Sequence, residues 1–456
     1  MIILNPEFHR NLWLKFSPFR LAAMPVFLIG YLYLMGLWNG GLDAGLFHAT
    51  MPICFVILGI FGTYEAAHAL SSEIKGNTWD FQKMSAIGPW QLVFGKLFGA
   101  TSYAWYFGLP LLVVMALSYP EDAFGRNTPP VWVFLVASVL SAVFGHASAL
   151  LTSLTSIHNE RMRVIVPLLI GMMMAQWAFQ VIIGFEWITS NGRAQWYGIE
   201  LSQTSFDLYS VLFVLFWVVI GLQRLIRLEL QYKNAPLVWM AFVATAAVYV
   251  AGLYPQGKDP IFAQFNKGMP YLIAFTVIVG FVYVKMLESA RDIMPYKRCL
   301  AAWRGKDWAQ LYMDVPRWAV TLCFALPLLI ILPFLFPAED GKVHFSVFNL
   351  GFGMLLFTLR DGLVLHALLL GQKMRFVSFK VLFYYFLVYF FGVSMTLGDV
   401  FDFDSAFWKN ILYGGGLAVF LPTGVGGFFN SCGPVILQCG AAGWFLHYRL
   451  KRFAKG

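Results

Sequence analysis

The sequence predicts an all-α, polytopic membrane protein with about twelve transmembrane helices. Of its 456 residues, 59% are hydrophobic and only 12% are charged. The charged share is about half of that in a typical soluble domain. Apolar runs long enough to cross about 30 Å of hydrocarbon recur from residue 21 almost to the C-terminus. We expect helices because each segment in lipid must satisfy its own backbone hydrogen bonds, and no pattern of about ten alternating residues appears.

Twelve apolar stretches, separated by short polar loops, are the candidate spans. The last stretch is too long for one helix and is broken by the sequences GGG, TGVGG and CGP, which indicates one span plus a re-entrant or interfacial piece. The stretches cover residues 21–38, 50–70, 97–117, 131–155, 164–184, 207–225, 237–254, 270–287, 318–337, 345–370, 381–398 and 410–448.

The formal net charge is +9, and the basic residues that produce it are distributed as expected for a membrane protein. We therefore expect no nucleic-acid partner. With the N-terminus in the cytoplasm, 26 of the 32 Lys and Arg residues lie on the cytoplasmic side, whereas the acidic residues divide into 11 inside and 12 outside. Basic residues set the orientation of membrane proteins, and acidic residues contribute little. Both termini, including the basic tail HYRLKRFAKG, are therefore predicted to be cytoplasmic. The expected location is a cell membrane, specifically a bacterial cytoplasmic membrane.

The first 20 residues are predicted to form an amphipathic helix at the cytoplasmic interface. Phe8, Leu12, Phe16 and Phe19 recur at helical spacing, and the charged residues lie largely elsewhere on the helix. The segment lacks a small-residue cleavage site, so we expect it to be retained rather than removed as a signal peptide. The alternative is that it is only a basic flank of the first span.

The polar segment after the second predicted span carries the most informative pattern. Residues 64–100 read YEAAHALSSEIKGNTWDFQKMSAIGPWQLVFGKLFGA. This segment resembles that of type 2 ATP-binding cassette (ABC) permeases, in which an acidic residue, a Gly-Thr pair, a short amphipathic helix, a Pro and a Gly-Lys pair lead into the third span. The resemblance covers residues 1–227. Its matching positions are Glu73, Gly76, Thr78 (with Asn77 inserted before it), Trp79 to Met84, Pro89, Gly95 and Lys96.

The resemblance implies that residues 77–86 form a coupling helix, which docks on a separate cytoplasmic ABC ATPase present in two copies. Trp79 and Phe81 are then the aromatic anchors, because an amphipathic helix offers such side chains to a groove. The alternative is an ordinary interfacial loop helix. The implied ATPase-coupling residues are Glu73, Asn77, Thr78, Trp79, Asp80 and Phe81.

No nucleotide site is predicted in this chain. The sequence GPWQLVFGK lacks the spacing of a phosphate-binding loop and the hydroxyl residue that must reach magnesium. We therefore expect the chain to bind no cofactor and to have no catalytic residues of its own, with ATP and Mg on the partner subunit. None of the five cysteines stands at a zinc-ligand or CxxC spacing, so no metal site is predicted.

A degenerate internal repeat is a further prediction. Phe61 and Glu65 align with Phe357 and Asp361, and Lys96 falls near Lys380, although chance similarity between apolar helices is a rival explanation. The duplication leaves open whether one chain forms a pseudo-dimer or two chains form a homodimer. The predicted organisation is an interfacial helix at 1–20, a six-helix permease domain at 21–230, a linking transmembrane hairpin at 231–290 and a second helical half at 291–456.

Ionisable residues within spans are candidates for function, because charges are costly in lipid. Five stand out: Glu65, His68, His146, Arg360 and Asp361. They are predicted either to line a substrate path or gate, or to form satisfied interhelical pairs. The function expected from the whole pattern is an ABC exporter permease that moves a lipid-like or amphiphilic substrate. An ion-coupled secondary transporter is the alternative, and an intramembrane transferase is a less favoured one.

Overall fold

The computed structural model describes residues 5–124, 128–156, 164–184, 193–254, 263–289, 294–336, 346–369, 384 and 428–455. The chain folds into two compact units: Met1–Ala194 with Glu200–Asn234, and Gln195–Ile199 with Ala235–Gly456. Within the described residues, the regular structure is helical apart from one two-stranded hairpin.

The first unit begins with a short helix and continues through long helices, two of which contain π-helical turns. Its elements are α1 (Pro6–Lys15), α2 (Pro18–Asn39), α3 (Ala44–Cys54), π1 (Phe55–Phe61), α4 (Gly62–Lys75), α5 (Trp79–Met84), α6 (Pro89–Phe94), π2 (Gly95–Gly99), α7 (Ser102–Leu117), α8 (Val131–Thr155), α9 (Ile165–Ile183) and α10 (Gln203–Glu229). The hairpin between α9 and α10 consists of β1 (Arg193–Trp196) and β2 (Ile199–Ser202).

The second unit is also built from helices. The aromatic side chain of Trp239 packs among apolar residues of its core and donates a hydrogen bond of 2.8 Å to the Thr321 hydroxyl. The helices are α11 (Leu237–Gly252), α12 (Ala263–Ser289), α13 (Met294–Gly305), α14 (Trp308–Asp314), α15 (Arg317–Leu335), α16 (Val347–Leu369) and α17 (Phe428–Lys455).

Eight helices in the described part of the chain are long and apolar enough to cross a membrane, and a ninth candidate is the pair α6–π2 and α7, bent by 52°. The chain therefore has the helices of a multi-pass membrane protein. The eight are α2, the continuous rod α3–π1–α4, α8, α9, α10, residues Gly268–Met286 of α12, α15 and α16.

The predicted total of twelve spans and the side on which the termini lie stay predictions. The predicted span at 237–254 forms a helix of only 16 residues, Leu237–Gly252. The predicted span at 381–398 lies outside the described residues except for residue 384, and the stretch at 410–448 is described only from residue 428. Lys380, which the repeat alignment uses, also lies outside the described residues.

Local sequence explains where the first two helices begin. The Asn5 side chain caps α1 by accepting hydrogen bonds from the backbone N–H groups of Glu7 at 3.0 Å and Phe8 at 3.4 Å. The Ser17 side chain caps α2 in the same way. In both cases a proline follows the cap, where its missing N–H has no intrahelical partner to lose.

Helix α1 buries its polar face, which the amphipathic pattern did not indicate. Glu7 and Asn11 are buried, whereas Trp13 is 85% exposed and Leu14 is 65% exposed. Phe8 and Leu12, on the expected apolar face, are only partly buried. The polar face turns inward because charged partners lie in the protein, and the exposed apolar side chains suit a lipid interface.

Helices α8 and α9 approach closely through small residues. A Cβ atom added to Gly171 would lie 2.7 Å from the Gly145 carbonyl oxygen, 2.8 Å from the Ala149 Cβ and 2.5 Å from the Thr63 Cγ2. Small residues at such crossings let helix backbones pack together in a membrane.

We expect Gly171→Ala to destabilise the protein by about 1–3 kcal/mol, because a methyl group there forces a shift of helix backbone. The matched change Gly30→Ala is expected to be neutral or slightly stabilising, because a Cβ at Gly30 meets no atom within 4 Å. Thermal unfolding of the purified variants in one detergent measures the difference. Equal melting temperatures would contradict the close-packing interpretation.

Candidate functional site

Four ionisable side chains meet inside the first unit, and we call them the ion cluster. They are Glu7 and Arg10 of α1, Glu73 of α4 and Lys96 of π2. The side chains of Glu7, Glu73 and Lys96 are 0%, 9% and 2% exposed, whereas that of Arg10 is 36% exposed. The cluster balances two carboxylates with two cations, which is the condition under which charges are tolerated in a protein interior.

The Arg10 guanidinium binds Glu7 through two hydrogen bonds. Its Nε donates to Glu7 Oε2 at 3.0 Å, and its Nη2 donates to Glu7 Oε1 at 2.9 Å. The same Nη2 also donates to Glu73, so Arg10 joins α1 to the end of α4. A bidentate pair of this kind fixes the relative orientation of the two side chains and strengthens their interaction, because the planar guanidinium matches the geometry of the carboxylate.

Lys96 is the central residue of the ion cluster. Its Nζ donates hydrogen bonds to Glu7 Oε1 at 3.2 Å, to the Glu73 carboxylate and to Gln82 Oε1 at 3.1 Å. Gln82 in turn donates to Glu73 Oε1 at 2.8 Å. The lysine therefore uses three acceptors from α1, α4 and α5, which matches the three donors of an ammonium group.

Glycine allows α1 to approach π2 closely enough for these contacts. A Cβ atom added to Gly95 would lie 2.5 Å from Glu7 Cγ, and one added to Gly99 would lie 3.0 Å from Asn11 Cβ. The Asn11 side chain donates to Glu7 Oε1 at 3.0 Å. The Asn5 side chain donates to the Gln91 carbonyl at 2.7 Å, so α1 is attached at both sides of the contact.

The charges of the cluster stabilise one another. Burial by itself would raise the pKa of Glu7, but the Lys96 ammonium and the Arg10 guanidinium outweigh it and hold that pKa below its ordinary value. Burial would likewise lower the pKa of Arg10, whereas hydrogen bonds and charge from Glu7 and Glu73 raise it. Glu7 is therefore ionised at neutral pH.

A tight turn joins the cluster to α5. The Glu73 carbonyl accepts hydrogen bonds from the Thr78 backbone N–H at 2.9 Å and from the Thr78 hydroxyl at 3.3 Å. Asn77 adopts a positive φ of 55°, a conformation that asparagine tolerates better than most residues. The inserted Asn77 and the following Thr78 thus form the turn that directs α5 away from α4.

Helix α5 has one face anchored in the protein and one face free of it. Trp79 is 4% exposed and packs among Leu70, Leu92 and other core residues, with Lys96 Nζ 5.1 Å from its ring centroid. Phe81 is 71% exposed and Met84 is 77% exposed. The expectation that Trp79 is a docking anchor is wrong, because its ring is part of this chain's own core, whereas Phe81 is on the surface.

An ion pair also attaches α5 to α10. Lys83 Nζ lies 3.4 Å from Asp80 and 3.3 Å from Glu229, near the end of α10. Asp80, which the resemblance assigned to ATPase coupling, has a side chain that is 82% exposed. Helix α5 is therefore connected to α10 as well as to α4 and π2, and it reaches α1 only through Lys96 and Glu73.

Glu65 and His68, two of the predicted candidates, have separate partners in the structure. Glu65 forms an ion pair with Lys15 of α1. His68 stacks on Tyr64 instead, with their ring centroids 5.4 Å apart. These contacts match the alternative of satisfied polar groups.

His146 is fully enclosed between helices. Its Nε2 lies 2.8 Å from the Leu58 carbonyl oxygen of π1, and its ring makes an edge contact with Trp105. A π-helix shifts the backbone hydrogen bonds from their α-helical pattern. The His146 ring therefore supports this irregular part of the span.

Arg360 and Asp361 form a buried polar group in the second unit. Arg360 Nε donates to Asp361 Oδ1 at 2.8 Å, and its Nη1 donates to Gln438 of α17 at 2.9 Å. The hydroxyl groups of Tyr283 and Tyr384 donate to the Asp361 carboxylate at 2.7 Å and 2.6 Å. These contacts match the alternative of a satisfied interhelical group.

Sequence reasoning assigned no role to Glu7, Arg10 or Gln82. Glu7, Arg10 and Asn11 are spaced three and four residues apart, which places them on one helical face, and this was the available signal. In the sequence, Lys96 is a matching position of the family resemblance and of the predicted repeat, and neither indicates an ion pair. The pairing itself brings together residues 89 positions apart, which no local pattern indicates.

We predict that Lys96→Met destabilises the first unit by about 3–5 kcal/mol, because it leaves the cluster with two carboxylates and one cation. The double variant with Glu73→Gln is expected to recover part of this loss by restoring the charge balance. Thermal unfolding of the single and double variants measures both effects. Additive losses in the double variant would show that the two residues are not coupled.

Acidification provides a second test. Because the folded-state pKa of Glu7 is lowered, its ionised form stabilises the fold above its unfolded value of about 4.3, and this contribution is lost as the pH falls through the lower folded value. Glu7→Gln should therefore flatten the dependence of melting temperature on pH below about pH 5. Glu200→Gln, which removes an exposed partner of Arg193, should leave that dependence unchanged. Parallel curves for wild type and Glu7→Gln would contradict the assignment.

Comparisons with models of known protein families, with curated proteins and with solved structures find no match for this chain. The functional interpretation therefore depends on the geometry of the ion cluster and α5, together with the resemblance seen in residues 64–100.

Proposed function

We propose that this chain is the membrane-spanning permease subunit of an ABC exporter that moves a lipid-like or amphiphilic substrate. ATP binding and hydrolysis take place on a separate ATPase, present in two copies. In this proposal the end of the first unit that carries α5 faces the cytoplasm of a bacterial cell. The transporting assembly is either a homodimer of this chain or a single chain that acts as a pseudo-dimer.

The division of α5 into an anchored face and an exposed face carries the proposal. A helix that transmits force needs a surface for the motor and a stiff connection to the spans. Phe81 and Met84 provide an exposed apolar surface of the kind that a groove on a partner binds. Gln82 and Trp79, on the other face, connect α5 to Lys96 and to the core.

The ion cluster explains how a push on α5 would reach the membrane. Lys96 lies in π2, in the bent pair that leads into α7, and Glu73 lies near the end of the rod α3–π1–α4. Charge pairs in a low-dielectric interior resist separation, because each partner would be left unpaired. Movement of α5 would therefore shift two membrane helices and α1 together.

We expect the combined change Phe81→Ala and Met84→Ala to weaken binding of the ATPase at least about tenfold, because truncation of central apolar anchors costs the most binding energy. The melting temperature should stay the same, since both side chains are exposed. Affinity purification of the tagged chain from its native membrane, followed by quantification of the ATPase that is retained, is the measurement.

Phe19→Ala is the matched control, because Phe19 is 80% exposed and lies on α2. ATPase retained equally by both variants would remove the coupling assignment. Repeated absence of any ATPase from the wild-type preparation, with transport by the chain alone in vesicles, would replace the proposal by the ion-coupled transporter.

A further inference from the structure

A cavity of about 480 Å³ lies within the first unit, apart from the ion cluster. Its walls come from α3, π1, α7, α8 and α9. On the rod α3–π1–α4 the lining residues extend from His48 to Gly59, whereas Glu73 of the ion cluster lies 14 residues further along. At 1.5 Å per residue this separates the two by about 20 Å, so the cavity is in the opposite half of the bundle.

The walls of the cavity are apolar. The apolar residues that line it include Met51, Leu58, Met115, Phe134 and Phe179, together with Phe55, which is 45% exposed. The volume falls within the range of about 300–1,000 Å³ that is typical of small-molecule sites. An apolar cavity of this size at the depth of a membrane span suits a hydrocarbon chain.

Two side chains at the cavity lack hydrogen-bond partners among the described residues. Gln176 is exposed in the interior of α9, a helix of otherwise almost entirely apolar residues, and His48 is exposed near the start of α3. An unpaired amide is costly in an apolar environment, and a ligand with oxygen atoms would satisfy it. The Ser138 hydroxyl, which donates to the Phe134 carbonyl at 2.8 Å, offers its remaining acceptor capacity.

The cavity is built into the fold. Phe55, Leu58 and Gly59 of π1 line it, and the Leu58 carbonyl is held by buried His146. π-helical turns within α-helices are frequent at functional sites, because they widen the helix locally. Residues of this irregular segment thus line the cavity while His146 contacts its backbone.

We propose that this cavity binds one hydrocarbon chain of an amphiphile, with the oxygen-bearing head group at Gln176 and His48. The proposal deepens the proposed function, on which it rests for the statement that the ligand is the transported substrate. Binding itself requires only the first unit's own residues. The head group is one whose oxygen atoms accept hydrogen bonds, because the Gln176 amide has N–H donors to offer.

The test uses the purified full-length chain, without ATPase, and a palmitic acid that carries a photoreactive diazirine in its chain. Illumination followed by mass spectrometry of the peptides should place the crosslinks on α3–π1, α8 and α9. Ser138→Trp, which fills the cavity, should reduce crosslinking at least about tenfold, the equivalent of 1.4 kcal/mol in affinity. Val136→Trp, an exposed position of the same helix, is the matched control and should leave crosslinking unchanged.

Gln176→Leu keeps the cavity open and removes the amide. It should weaken binding of the probe by about two- to tenfold, the range expected for one hydrogen bond, whereas Gln180→Leu one turn further along α9 should have no effect. Both variants are checked for a single symmetric peak in size-exclusion chromatography. This pair keeps the proposal testable if Ser138→Trp fails to fold.

Crosslinks scattered over the outer surface, equal labelling of Ser138→Trp and Val136→Trp, or occupation of the cavity by a second copy of the chain would overturn the proposal. Because the assay contains no ATPase, a failure to find the ATPase partner leaves a positive result standing. Conversely, an empty cavity in a chain that still retains its ATPase would remove only the ligand assignment.

Discussion

The structure of the first unit depends on pairing the buried Glu7, Glu73 and Lys96 with one another and with the partly exposed Arg10. Moving a charged group from water into the protein costs free energy. If its partner is then removed, the buried charge is left uncompensated and the fold is strongly destabilised. Lys96 therefore requires both Glu7 and Glu73, and Arg10 completes the balance of charge. This requirement places α1 against π2 and determines which face of α1 turns inward.

The pairing of these charges also fixes the position of α5. Gln82 is bonded to both Lys96 and Glu73, so α5 takes part in the cluster rather than resting on it. The exposed Phe81 lies only one residue away from this attachment. A partner that binds the exposed face would thus act directly on the charge network, with no flexible segment between the two.

Polar side chains within the long apolar helices fall into two classes. Those of the first class have hydrogen-bond partners within the protein, and those of the second class have none among the described residues. Asp361 accepts from Arg360 and from two tyrosines, and His146 contacts a backbone carbonyl, so these groups contribute to packing. Gln176 stands beside an apolar cavity without a partner among the described residues. The first class stabilises the fold, and the second class identifies a place where a ligand can add hydrogen bonds.

The sequence by itself determined the helical, multi-pass character of the chain, whereas the break between α1 and α2 at residues 16 and 17 was not predicted. A long apolar run is a local signal, because a segment in lipid must satisfy its own backbone hydrogen bonds whatever surrounds it. Only the tertiary structure decided that α1 buries its polar face, that Trp79 is a core residue and that Lys96 pairs with Glu7. These outcomes depend on which charges lie across the contact, and those charges come from positions far apart in the chain.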